Sequence, residues 1–222
     1  MQSHHDQELS GLKDKLLTMA SLAETSLIQA VKALIDRDED MAQGVRKNDR
    51  VIDRVEIDID ETAVVLLSKA PLARDLRFII VAMKISHDLE RVGDEAKGIA
   101  KQAIKLNEEP QLKPYVDIPR MADLALKMLK TALDAFITGD VNKVQEVLVQ
   151  DEAVDSLHKQ LQRELVSYVL EAPSNITRTL ALGNIAKRIE RIADHATNIA
   201  EEAVYLHQGR HIRHEAAQAE MQ

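Results

Sequence analysis

The sequence predicts an all-α protein, a tandem repeat of two three-helix bundles made of six long antiparallel helices. Three observations carry that expectation. The 222-residue chain is 45% hydrophobic but only 2% aromatic, with 7 Gly and 5 Pro. Its cores must therefore be built from Leu, Ile, Val, Ala and Met, and it has few residues for strand corners or tight turns. Apolar residues recur at alternating spacings of three and four, the mark of one buried helix face. The whole pattern of segments then occurs a second time, about 100 residues further on.

Taken in order, the first helical pattern runs over 7–35 and breaks at the polar run 36–40. The second covers 41–68 and stops before Pro71, because the residue preceding a proline is pushed out of the helical region. The third spans 73–106. Pro110, Pro114 and Pro119 then mark a linker. The fourth helix covers 119–137 and breaks at Thr138, Gly139 and Asp140; the fifth ends near 170, before Pro173, and the sixth reaches 208. This divides the chain into a first bundle at 1–109, a linker at 110–119, a second bundle at 120–209 and a polar tail at 210–222.

The third and sixth helices establish the repeat. At an offset of 100, segments 84–104 and 184–204 share Ile85/Ile185, Glu90/Glu190, Arg91/Arg191, Asp94/Asp194, Ala96/Ala196, Ile99/Ile199, Ala100/Ala200 and Ala103/Ala203. Their seams coincide too. Ala82, Ile85, Leu89, Val92, Ala96, Ile99, Ala103 and Leu106 form one stripe, and Leu182, Ile185, Ile189, Ile192, Ala196, Ile199, Ala203 and Leu206 form the other. Ala70-Pro71 matches Ala172-Pro173 at an offset of 102.

Composition removes several function classes. With no cysteine there is no disulfide, thiolate nucleophile or sulfur-bound metal. With 37 acidic against 29 basic side chains, the net charge of −8 repels a nucleic-acid backbone, and no basic block offsets it. No apolar run at the N-terminus suggests a signal peptide, and none approaches the roughly 20 residues of a spanning helix. A cytoplasmic protein is the expectation.

Beyond what a bundle needs, the helices carry carboxylates in pairs four residues apart. Glu90 and Asp94 form one pair and Glu190 and Asp194 another; Asp49 and Asp53 precede the first, Asp151 and Asp155 the second. Like charges at this spacing face each other and cost on the order of 0.2–0.5 kcal/mol per pair. On the second helix, Asp49, Asp53, Glu56 and Asp60 lie to one side of the seam Ile52, Val55, Ile59 and Leu66. Glu90 and Asp94 lie in the same rotational sense from their own seam. On antiparallel neighbours, equal rotation brings both stripes into one shared groove or turns both away. If they converge, each bundle carries an oxygen-rich flank of the kind that binds Mg²⁺, Mn²⁺ or iron. The second stripe reads Asp151, Asp155, His158 and Gln162, which adds an imidazole. His195 is expected at the surface, His87 off the seam, and His207, His211 and His214 in the fraying tail.

Two other readings stay open on residues alone. Arg91 and Arg191 could neutralise the carboxylates, leaving a metal-free helical scaffold. A carboxylate-bridged di-metal enzyme needs an inward Glu-x-x-His pair, but Gly93 follows Glu90 and Ala193 follows Glu190 at that spacing; Asp155-x-x-His158 is the nearest approach.

The tandem bundles with Asp49-x-x-x-Asp53, Glu90-x-x-x-Asp94, Asp151-x-x-x-Asp155 and Glu190-x-x-x-Asp194 resemble the PhoU family of regulators of bacterial phosphate uptake. The resemblance runs over about 5–209 and includes both Ala-Pro breaks. It implies multinuclear metal clusters, of iron, zinc, manganese or magnesium, at those eight carboxylates. It also implies a non-enzymatic homodimer in the cytoplasm, peripheral to the membrane through its partners only. Those partners would be the ATPase subunit of a phosphate ABC transporter and a sensor histidine kinase, with uptake and the starvation response both damped. His158 and Gln162, where the first half has acids, set the two halves apart.

Overall fold

The computed structural model describes residues 4–212. It contains α1 (His4–Asp36), α2 (Glu39–Leu67), α3 (Ala73–Asn107), α4 (Asp117–Thr138), α5 (Asn142–Glu171), a single 3₁₀ turn (Pro173–Asn175) and α6 (Ile176–Gln208). No strand occurs among the described residues. At about 1.5 Å per residue, the 35-residue α3 is about 50 Å long.

Each break has a local cause. Between α1 and α2 the polar run narrows to Arg37 and Asp38. Arg37 takes a left-handed φ of 56°, while extended Asp38 accepts a hydrogen bond from the Met41 N–H at 2.8 Å as the N-cap. The Arg37 guanidinium then donates to the carbonyls of Asn107 and Glu109, both at 2.8 Å, covering acceptors left open where α3 ends. Left-handed Gly139 closes α4. Pro173 opens the 3₁₀ turn between α5 and α6.

The apolar stripes bury as their spacing requires. All eight seam residues of α3 are buried; on α6 only Leu206, near its end, is partly exposed. Helices α1, α2 and α3 pack as one bundle and α4, α5 and α6 as the other, while α3 and α6 also lie against each other along their length. One continuous hydrophobic core runs through both.

That central joint is antiparallel and laced with charge. Lys84 reaches Glu202 at 2.9 Å, Asp88 meets His195 at 2.8 Å, and Glu95 accepts from Arg188 at 2.6 Å and Arg191 at 3.3 Å. Under the 100-residue repeat, Asp88 is the counterpart of Arg188 and Glu95 of His195. At 88 and 188 the two copies thus carry opposite charges. His195, expected at the surface, is instead half-buried in this joint, because its helix face is covered by α3. With one side of α3 committed to α6 and another to the core, its acidic stripe faces α2.

Candidate metal centre: two carboxylate flanks

Helices α2 and α3 turn their acidic stripes toward one groove. From α2 come Asp49, Asp53 and Glu56, and from α3 come His87, Glu90, Asp94 and Lys97. The approach is close at Gly93, where an added Cβ would stand 2.9 Å from Ile52 Cδ1 and 3.7 Å from Asp49 Oδ1. Asp49 is only 3% exposed. Its partner is an ammonium that the spacing arguments did not single out. Lys97 Nζ donates to Asp49 Oδ2 at 2.5 Å and to Asp94 Oδ1 at 3.4 Å. The bond to Asp49 holds the Lys97 ammonium above its ordinary pKa.

Further along the groove the acids crowd one another. Desolvation, then the charges of Asp49 and Asp94, push Asp53 up despite Lys97. Glu90 is likewise raised, first by desolvation and then by Asp94. Its Oε2 is buried without a hydrogen-bond partner, with Arg91 Nε 3.5 Å away. Ligand atoms of Glu56, His87 and Glu90 all lie within 4.8 Å of one another, and His87 Nδ1 is 3.3 Å from Glu56 Oε1. Asp60, the last residue of the stripe, is exposed.

The second groove gathers Asp151, Asp155 and His158 from α5 with Lys187, Glu190, Asp194 and Thr197 from α6. Asp151 is pushed up to about 6, by desolvation first and then by Asp194, Asp155 and Glu190. A hydrogen bond from the Thr197 side chain works the other way. Asp194 is also raised, by desolvation and Glu190 above all. Among the described residues no lysine or arginine forms an ion pair with Asp151 or Asp194; Lys187 pairs with Glu190 and Lys159 with Asp155. His158 is 7% exposed, with Nδ1 3.9 Å from Glu190 Oε1 and Nε2 3.0 Å from Gln162. Burial lowers its pKa, which keeps the ring neutral and able to act as a ligand.

All eight predicted carboxylates therefore line the two grooves, four in each. The arginines behave differently from one another. Arg91 reaches Glu90 at 3.5 Å and Asp94 at 3.7 Å, whereas Arg191 turns away to Glu95 of the other bundle. His207 is held in place by a bond to the Phe136 carbonyl at 3.0 Å, and His211 stacks on Tyr205 with centroids 4.1 Å apart. His214 lies outside the described residues.

As donor sets, the grooves suit a cation unequally. The second gathers four carboxylate groups with a neutral imidazole nearby, yet among the described residues the set of three ligand groups whose atoms lie within 4.8 Å of one another is in the first. In the first, the space between Asp49 and Asp94 already holds the Lys97 ammonium. The Glu56, His87 and Glu90 end of the same groove offers a mixed oxygen and nitrogen set.

Comparison with known proteins matches the PhoU domain model twice along the chain, at residues 16–103 and 118–203. A relative from Aquifex aeolicus, named phosphate-specific transport system accessory protein PhoU homolog, is 42% identical over 210 residues, covering 94% of this chain and 95% of its own. A protein of the same name from Pseudomonas aeruginosa is 41% identical over 219 residues, covering 96% and 90%. The crystal structure of PhoU from Pseudomonas aeruginosa superposes with a TM-score of 0.89 at 42% identity, over 92% of this chain and 99% of that one. The phosphate transport system regulatory protein PhoU from Streptococcus pneumoniae gives 0.87 at 31% identity, over 94% and 99%.

Proposed function

The chain belongs to the PhoU family, and from that premise we propose that it is an accessory regulator of phosphate-specific transport. In this reading it is a non-catalytic, cytoplasmic adaptor. It couples the ATPase subunit of a phosphate ABC transporter to a sensor histidine kinase, and it holds down both uptake and the starvation response. The observation that carries the reading is the match of both halves, over nearly the full length, to relatives named for phosphate-specific transport. No helix among the described residues is long and apolar enough to cross a membrane, so the adaptor would reach the transporter through protein contacts.

The flanks supply the chemistry of docking. In the second groove Asp151, Asp155, Glu190 and Asp194, with His158 beside them, would hold a divalent ion. Such an ion would neutralise a groove that repels itself and order side chains that a partner must meet. The chain's own contribution is to fix these groups on rigid helices, off the apolar seams, where their charge is displayed without disturbing the core. Homodimerisation would present the flanks in duplicate.

The test is expression from a phosphate-starvation promoter, with phosphate uptake, in cells grown at high phosphate with and without the gene. Loss of the chain is expected to raise both, and restoring it to lower both. Unchanged expression and uptake in its absence would sink the regulatory reading.

A further inference from the structure

We propose that the apolar groove between the end of α5 and the start of α6 is a docking site for an amphipathic helix of a partner protein, apolar on one face and acidic along its margins. The inference rests on the adaptor reading above and names a surface and the chemistry of the partner it would take.

The groove is a cavity of about 550 Å³ that lies open along the second bundle, lined by Leu165, Val166, Leu170, Ile176 and Leu180. Leu170 is 80% exposed and Leu180 67%, and Val166 and Ile176 are more than half exposed. Four large aliphatic side chains held together in water are unfavourable until another surface covers them, and a patch of this kind marks an interaction site. One polar side chain agrees. Thr179 lines the groove and is only 8% exposed, and its Oγ1 is buried without a hydrogen-bond partner. A hydroxyl left so is costly, and a polar atom seated beside it would satisfy it.

The repeat explains why the groove is on this half. Ile79 and Met83 of α3 are the counterparts of Thr179 and Gly183 of α6. Ile79 is fully buried and Met83 packs against the core. At Gly183 no side chain fills the space. Beyond its own helix, a Cβ added there would meet only Leu165 Cδ1 within 4 Å, at 3.8 Å. From Ile176 to Gly183 the floor runs about 10 Å, two turns, which suits the i, i+3 or i+4 and i+7 anchors of a helix laid in a groove.

Charge then selects among helices. Arg163 adjoins Gln162 on the α5 wall, and Lys105 lies across Leu180, in the neighbouring depression. Both are exposed, and among the described residues neither forms an ion pair. Lys159 and Lys187, toward the middle of the two helices, are each matched by one acid, Asp155 and Glu190. On the other side of the balance, Glu109 is taken up by Arg178 at 3.3 Å, and Glu171 is exposed beside Leu170. On a chain of net charge −8 this groove is thus bordered by cations, so acidic margins are drawn to it and basic ones are not.

The experiment is fluorescence anisotropy of full-length protein with a labelled helical peptide of about 18 residues, five turns, carrying leucines at the anchor positions and glutamates beside them. A second peptide has lysine at each glutamate. Wild type is expected to bind the glutamate peptide at least about tenfold more tightly than the lysine peptide, with the preference shrinking as salt rises. Gly183→Met, which copies the first half, is expected to weaken binding by about tenfold or more while circular dichroism stays helical. Arg163→Glu should move the preference toward the lysine peptide, a gain that misfolding would not produce. No saturable binding of the glutamate peptide, equal binding of the two peptides, or binding that Gly183→Met leaves untouched would each overturn the inference. So would self-association in sedimentation velocity that Gly183→Met abolishes, since a second copy would then fill the groove. Failure here leaves the adaptor reading standing, whereas unchanged starvation-promoter expression without the gene removes that reading and leaves a measured peptide site.

Discussion

The Asp151 carboxyl, raised from its usual 3.8 to about 6 by desolvation and three neighbouring acids, makes the metal-free protein sensitive to pH. A group with a raised folded-state pKa binds its proton more tightly in the folded than in the unfolded chain between those two values. Its contribution to stability is therefore present below about 4 and is lost as pH rises toward about 6. Asp151→Asn removes that titration. In chelator, its thermal midpoint is expected to fall less than that of wild type between pH 4.5 and pH 7, and parallel curves for the two would refute the assignment. Arg37 is a second residue with an outsized part. Its left-handed backbone and its bonds to the end of α3 are one device, tying the α1–α2 turn to the linker. Arg37→Ala keeps the strained φ and removes the donors, so a loss of about 1–3 kcal/mol is expected by denaturant unfolding.

Among the elements, the α3–α6 joint decides how the halves pair. Asp88 and Glu95 on α3 face His195 and Arg188 on α6, so the polar contacts of the joint match one repeat copy to the other. Glu95→Arg or Arg188→Glu alone places like charges together, and each is expected to cost about 1–3 kcal/mol. The double exchange should recover most of that loss, and a cycle with no coupling would show that the pair is idle. This joint was not legible in the sequence. Charged residues off the apolar seam read as a solvated face, and only the fold reveals that a second bundle covers it. The seams themselves were legible, since Ile85, Leu89 and Val92 and their mates repeat with unbroken spacing. The paired acids were legible too, because a duplication that retains them stands out against diverged neighbours. Lys97 was hidden for the opposite reason. It differs between the copies, and a lone lysine on a helix is ordinarily solvent-facing. Its signal was its place one turn after Asp94, on the same face as the acid pair.

For the molecule as a whole, two bundles share one core and expose two acidic grooves on a chain of net charge −8. Bound cations would lessen that self-repulsion and favour the folded state. At a free-ion concentration 100 times Kd, one bound ion adds about 2.7 kcal/mol, equivalent to about 5–10 °C in Tm for a domain of this size. Scanning calorimetry with and without Mn²⁺ should show a rise of that order, and none would mean that the folded chain does not bind the ion. The most direct test of the metal-bearing adaptor is the elemental content of the protein purified without added metal or chelator, measured beside a variant with Ala at Asp151, Asp155, Glu190 and Asp194. Wild type is expected to carry iron, zinc, manganese or magnesium in stoichiometric amount, and the variant, still helical, to lose the second-flank ion. A wild type that carries none, and takes up none when metal is offered, would contradict the account.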